Sequence, residues 1–122
     1  MAKILIVDDS VTQLYSLKSI VEDEGHEAFT AGDWDHALDA AKSQHPDLIL
    51  LDIIMPGMNG FQVKRKLHNI DETRKIPIIF VTVKSQESDI AWGLRQGAKA
   101  YITKPINKKE LLSAINEVLA DA

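Results

Sequence analysis

The chain has 122 residues, 45% of them apolar and 26% charged, with a net charge of −4, which suits one globular domain with a real core and is too short for two of ordinary size. The acidic balance, relieved only by short basic runs such as Lys64-Arg65-Lys66 and Lys108-Lys109 in helical patterns, gives no footprint for nucleic acid. There is no cysteine, no apolar stretch approaching the ~18 residues of a spanning helix, and no signal peptide, because Met1-Ala2-Lys3 is followed by four apolar residues and then two aspartates, so a cytoplasmic domain without a membrane partner is expected.

Short apolar runs alternate with amphipathic stretches along the whole chain. The first run, Lys3-Ile4-Leu5-Ile6-Val7, is a strand closed by Asp8 and Asp9. Ser10 can cap a helix whose Val11, Leu14, Leu17 and Val21 share one face, and Gly25 suits its end. Glu27-Ala28-Phe29-Thr30-Ala31 is a weaker run, expected at a sheet edge, and a helix from about Trp34 to Gln44 follows before Pro46. A third strand lies near 47–52 and ends on Asp52; the turn-rich Met55-Pro56-Gly57-Met58-Asn59-Gly60 leads to a helix carrying Phe61, Lys64 and Leu67.

A fourth strand near 77–82 closes on Thr82. Ser85 is the expected cap of the next helix, with Ile90, Ala91, Leu94 and Ala98 facing inward and Trp92 pointing nearly opposite. The last strand, near 99–103, is followed by Lys104-Pro105. Asn107 and Glu110 then have capping spacing before the stripe Leu111, Leu112, Ile115, Val118 and Leu119. Strands one, three, four and five read as nearly continuous Ile, Leu and Val, as parallel strands buried on both faces do. Five βα units of this kind predict a doubly wound parallel sheet with right-handed crossovers. No linker, repeat or low-complexity tract divides the chain, so one domain over residues 1–122, with no output domain, is expected.

Ligands of such a sheet sit outside the carboxyl ends of its strands, where strand order reverses. Asp8, Asp9, Asp52, Thr82 and Lys104 all arrive at that edge, making a candidate metal and phosphoryl site. Three converging carboxylates repel, and a hard divalent cation relieves the conflict; oxygen ligands suit Mg²⁺ or Mn²⁺. A P-loop or dinucleotide site would need glycines after the first strand, where Asp8-Asp9-Ser10 stands instead. The four histidines, at 26, 36, 45 and 68, have no ligand spacing and are expected at the surface or at helix ends.

Val7-Asp8-Asp9-Ser10, the stretch from Leu50-Leu51-Asp52 through Met55-Pro56-Gly57 to Gly60, Val81-Thr82, and Tyr101-Ile102-Thr103-Lys104-Pro105 together resemble response-regulator receiver domains of the CheY-like type. The resemblance covers the whole chain. It implies a flavodoxin-like (βα)5 fold with strand order 2-1-3-4-5. It also implies that Asp52 accepts a phosphoryl group from a histidine kinase. Asp9, Asp52 and the Ile54 carbonyl would hold the metal directly, and Asp8 mainly through water. Lys104, the Thr82 hydroxyl and the Val83 amide would stabilise the phosphoryl oxygens. A cis Lys104–Pro105 bond, a switch made of Thr82 and Tyr101, and a partner face on the fourth helix, fifth strand and fifth helix follow from the same resemblance, with Trp92 and Tyr101 on that face. A monomer that is not an enzyme, beyond promoting its own phosphorylation and slow dephosphorylation, is expected.

A finer resemblance, on residues 81–89 and 92–98, is to PilH-type single-domain regulators of twitching motility, a type IV pilus function. Two other readings are a phosphate sink for a partner regulator and a phosphorylation-independent interaction module. A haloacid-dehalogenase-type phosphatase, by its own family's pattern, needs a second Asp two positions after the nucleophile, where this chain has Ile54. One departure stands out: Val83 is bulkier than the small residue many receivers carry there. Val83 and Ile54 are expected to obstruct the entrance to Asp52, with Lys84 at the same rim.

Overall fold

A computed structural model describes residues 1–121. The elements are β1 (Lys3–Val7), α1 (Val11–Asp23), β2 (Glu27–Ala31), α2 (Trp34–Gln44), β3 (Leu48–Leu51), α3 (Gly60–His68), β4 (Ile78–Thr82), α4 (Glu87–Arg95), β5 (Ala100–Thr103) and α5 (Lys108–Ala120). The strands form one parallel sheet in the order β2-β1-β3-β4-β5.

Strand residues alternate between two cores, as a period of two requires. Leu5, Val7, Ile49, Leu51, Ile78 and Phe80 face α2 and α3, where Leu38, Ala41, Val63 and Leu67 meet them. Ile4, Ile6, Leu48, Leu50, Ile79 and Val81 face α1 and α5, against Leu17, Val21, Leu111 and Ile115. Full burial of each such side chain stabilises the fold by roughly 1.5–3 kcal/mol relative to exposure. β2 is an edge strand, as its composition predicts. β5 is the other edge, and for that reason Ala100, Tyr101 and Thr103 are only half-buried instead of enclosed.

Caps follow side-chain chemistry at four helices. Ser10, Asp33, Asn59 and Asn107 each accept the amide three residues on, and Asn59 with Gln62 completes a capping box. α4 departs from expectation. Its N-cap is Gln86, not Ser85, and it makes no side-chain cap bond. Its inward residue is Gly93, while Ala91 and Leu94 are exposed. The reason is steric: the Tyr101 ring lies beneath α4, and only a residue without a side chain fits over it. α1 differs too, since Val11 at its first position is 69% exposed and the burial begins at Leu14. In α5 the deepest residues are Leu111, Ile115 and Val118, with Leu112 and Leu119 at the margin. No helix among the described residues is long and apolar enough to cross a membrane.

Candidate functional site

Three strand ends share one local device. The Asp8 Oδ1 accepts the Ser10 amide at 2.9 Å, the Asp52 Oδ1 accepts the Ile54 amide at 3.1 Å, and the Thr82 Oγ1 accepts the Lys84 amide at 3.4 Å. In each case a short polar side chain folds back on the N–H two residues on, which Asp and Thr do readily. The strand stops there and the chain turns away. The sheet ladder runs into the site as well: the Asp52 amide donates to Val7 O at 3.0 Å, and the Lys104 amide to Thr82 O at 2.8 Å. Gly60 seats the start of α3 on this edge. A Cβ there would run into the Asp52 carbonyl oxygen, and its amide donates to Ile53 O at 2.9 Å.

One ammonium joins the two buried carboxylates. The Lys104 Nζ donates to Asp8 Oδ2 at 2.6 Å and to Asp52 Oδ2 at 3.1 Å. Burial alone would pull the Lys104 ammonium down, but its bond to Asp8 and the charge of Asp52 outweigh that and raise it. Asp8 is also held above the usual carboxylate range. Burial is the main cause, and repulsion from Asp52 adds to it against the opposing Lys104 and Ser10 bonds. Both values move up, for different reasons: the Lys104 ammonium because its bonded and charged neighbours are anionic, the Asp8 carboxyl because it is buried.

Asp9, the exposed third acid, completes a cluster in which one carboxylate oxygen each from Asp8, Asp9 and Asp52 lie within 4.8 Å of one another. An all-oxygen donor set with a deficit of positive charge fits a hard divalent cation. Ile54 contributes its amide to Asp52, and its side chain is 49% exposed.

Thr82 is fully buried, whereas Val83 is 58% exposed beside it. The Tyr101 hydroxyl donates to Lys84 O at 2.7 Å, and its ring lies tilted against Phe80 with centroids 6.1 Å apart. Burial, with the charges of Asp89 and Asp52, pushes the phenol up to about 12. Lys84 therefore touches Thr82 through its amide, Tyr101 through its carbonyl, and Asp89 of α4 through an ion pair at 3.6 Å. The Lys104–Pro105 peptide is cis.

Trp92 is exposed, as expected, but it leans towards α3, where its ring meets Phe61 edge-on at 6.5 Å. With Gly93 inward, the ~100° step of a helix puts Leu94 on the opposite flank of α4, away from α3. The histidines lie apart from the acids. His26 accepts the Ala2 amide, His36 pairs with the capping Asp33, His45 ends α2 in a left-handed conformation, and His68 ends α3.

Sequence reasoning missed the Ser10 and Ile54 amides and the joint role of Lys84. The signal was present, since Asp and Thr at strand ends favour bonds to the second amide onward.

The response regulator receiver domain family matches residues 4–116. The chain belongs to that family. Among relatives of this receiver, Protein PilH of Pseudomonas aeruginosa is 49% identical over 120 residues, which cover 98% of this chain and 99% of PilH. Response regulator PleD of Caulobacter vibrioides is 39% identical over 117 residues, which cover 96% of the receiver but 26% of PleD. The chemotaxis protein CheY4 of Vibrio cholerae superposes with a TM-score of 0.89 at 31% identity, covering 97% of this receiver and 98% of that chain.

Proposed function

We propose that this receiver is a stand-alone response regulator of a two-component phosphorelay, taking a phosphoryl group from a histidine kinase onto Asp52. The observation that carries the reading is the placement of a buried Asp52 carboxylate against both an acidic pair and the Lys104 ammonium. In the transfer, a carboxylate oxygen of Asp52 forms a bond to phosphorus as the phosphorus–nitrogen bond of a phosphohistidine breaks, and the imidazole keeps that electron pair. Such transfers ask a protein for positioning and charge stabilisation above all. Lys104 provides a cation beside the acceptor, and the Thr82 hydroxyl and Val83 amide are assigned to the remaining phosphoryl oxygens. Asp9, Asp52 and the Ile54 carbonyl would hold Mg²⁺ or Mn²⁺, with Asp8 acting chiefly through water. Bound there, the cation would neutralise charge on the transferring group.

Three exposed apolar residues border the site, each close in sequence to one of its members: Val11 after Asp9, Ile54 after Asp52, and Val83 after Thr82. That rim suits contact with a protein donor. On the output side, the added charge at Asp52 would draw Thr82 towards it. Thr82 is tied through Lys84 to Tyr101, so the face of α4, β5 and α5 would repack, with Tyr101 and the exposed Leu94 on the partner surface, while Trp92, expected on that face, leans instead on Phe61 of α3. The 49% identity to PilH over nearly the full length of both chains supports a role in twitching motility. The chemistry proposed is a single phosphorylation that the protein itself promotes and its slow hydrolysis by water to the carboxylate and inorganic phosphate, and the partners are a kinase and a downstream protein in the cytoplasm.

Incubation with a small phosphodonor and Mg²⁺ tests this. The intact mass should rise by one phosphoryl group, and Asp52→Asn or EDTA should abolish the gain. Stoichiometric labelling that survives Asp52→Asn would overturn the assignment.

A further inference from the structure

The flank of α4 that faces α3 has features the phosphoryl site does not use. Between the two helices runs a groove of about 150 Å³ lined by Lys64, Arg65, His68 and Gln96. One turn earlier on each helix, Trp92 of α4 stands edge-on to Phe61 of α3 and is 45% exposed. Its lining holds three basic side chains and no carboxylate, in a chain whose net charge is −4.

Helix chemistry explains part of this. Arg65 and His68 lie in the last turn of α3, where cations offset the negative end of the helix dipole. Lys64 is different. It sits a position earlier, is half-buried, and reaches across to the turn after α4, where its Nζ would lie 3.2 Å from a Cβ placed on Gly97. Among the described residues, no carboxylate comes within ion-pair distance of it. Burial, and then the charge of Lys99, lower its affinity for a proton. A half-buried ammonium with no carboxylate partner is an unfavourable arrangement that an incoming carboxylate would relieve.

We infer that the α3–α4 groove docks an acidic segment of a partner protein, with an apolar side chain packed on Trp92 and carboxylates meeting Lys64 and Arg65. Charge decides the occupant: the groove is basic and lacks acids, and Trp92, one turn away, offers one large ring rather than a broad apolar face. Exposed Trp and Arg are residue types that concentrate binding energy. This surface lies on the flank of α4 opposite Leu94, so it is separate from the α4-β5-α5 output face.

The test uses the unphosphorylated protein, so its outcome is independent of the phosphorelay reading. The probe is a synthetic helical peptide carrying Leu and a row of Glu along one face, compared with the same peptide bearing Lys in place of each Glu. In isotope-labelled protein, the Glu peptide should shift the amide signals of Lys64, Arg65, Gln96 and Gly97 and the Trp92 indole, with an affinity that falls as salt rises. Lys64→Gln should weaken binding about tenfold, and Trp92→Ala should weaken it without unfolding the protein. Lys64→Glu should reverse the preference in favour of the Lys peptide. Equal binding of both peptides, or shifts located away from these residues, would overturn the inference. So would inorganic phosphate producing the same shifts with the peptide adding nothing, which would indicate a small-anion site. Concentration-dependent dimerisation lost in Lys64→Glu, with no peptide binding, would make the occupant a second copy of the chain and overturn it too.

Discussion

Gly93 and Tyr101 occupy each other's space: a Cβ on Gly93 would stand 2.8 Å from Cδ2 of the Tyr101 ring and 2.9 Å from Cε2. The close approach of α4 to β5 therefore depends on a missing side chain. Gly93→Ala should expel the ring, break the bond from the Tyr101 hydroxyl to Lys84 O, and cost about 1–3 kcal/mol by overpacking. Denaturant melts measure the loss. Labelling at Asp52 should continue, since Gly93 touches no group of the acidic site.

Tyr101 itself gives a prediction in alkali. A phenol is neutral when protonated, and here its folded value is raised from 10.0 to about 12, mainly by burial. Its contribution to stability is complete below the unfolded value and is lost as pH rises through the folded one. Between about pH 10 and about 12 the wild type should lose stability faster than Tyr101→Phe. Melts of the two proteins across that window check it; parallel curves would mean that the hydroxyl is freely solvated.

Removing Lys104 should be costly in a way that depends on divalent cation. Lys104→Met leaves Asp8 and Asp52 buried with no ammonium between them. Breaking a buried pair by deleting one partner typically costs about 3–5 kcal/mol. Without divalent cation the variant should show a loss of that order. Mg²⁺ should raise the midpoint of the variant more than that of the wild type, because binding to the folded state stabilises it by mass action. Thermal melts with and without EDTA make the comparison.

Val83 tests the gate. The residue is 58% exposed, so Val83→Ala should change stability by no more than about 0.5 kcal/mol. If the branched side chain narrows the way to Asp52, the variant should both gain and lose its phosphoryl group faster. Decay of the labelled protein, followed by intact mass, reads this out; unchanged rates would remove the gating role.

The sheet was legible because parallel strands buried on both faces declare themselves as runs of Ile, Leu and Val, each ending on a chemically distinct residue. The acidic cluster was legible for the same reason: Asp8, Asp9, Asp52 and Lys104 stand at strand ends, and strand ends converge. The phase of α4 was not, because periodicity counts side chains, and the buried residue there is a glycine whose role is to have none. Val11 misled in the opposite direction, an apolar residue in register with the buried stripe but one turn too early to reach the sheet. Nor could the spacing of Trp92 reveal that it leans on Phe61, since contacts between α3 and α4 depend on how the two helices sit on the sheet.

The ammonium bridge joins residues 96 positions apart, from the first strand to the turn after the last. Asp8 and Asp52 can be brought side by side by β1 and β3 alone, but they gain their shared cation only when β5 has docked at the far end of the sheet. A chain still emerging from the ribosome, or one whose final strand has frayed, thus presents carboxylates that lack this partner. The bridge is in this sense a certificate that the sheet has closed across all five of its strands.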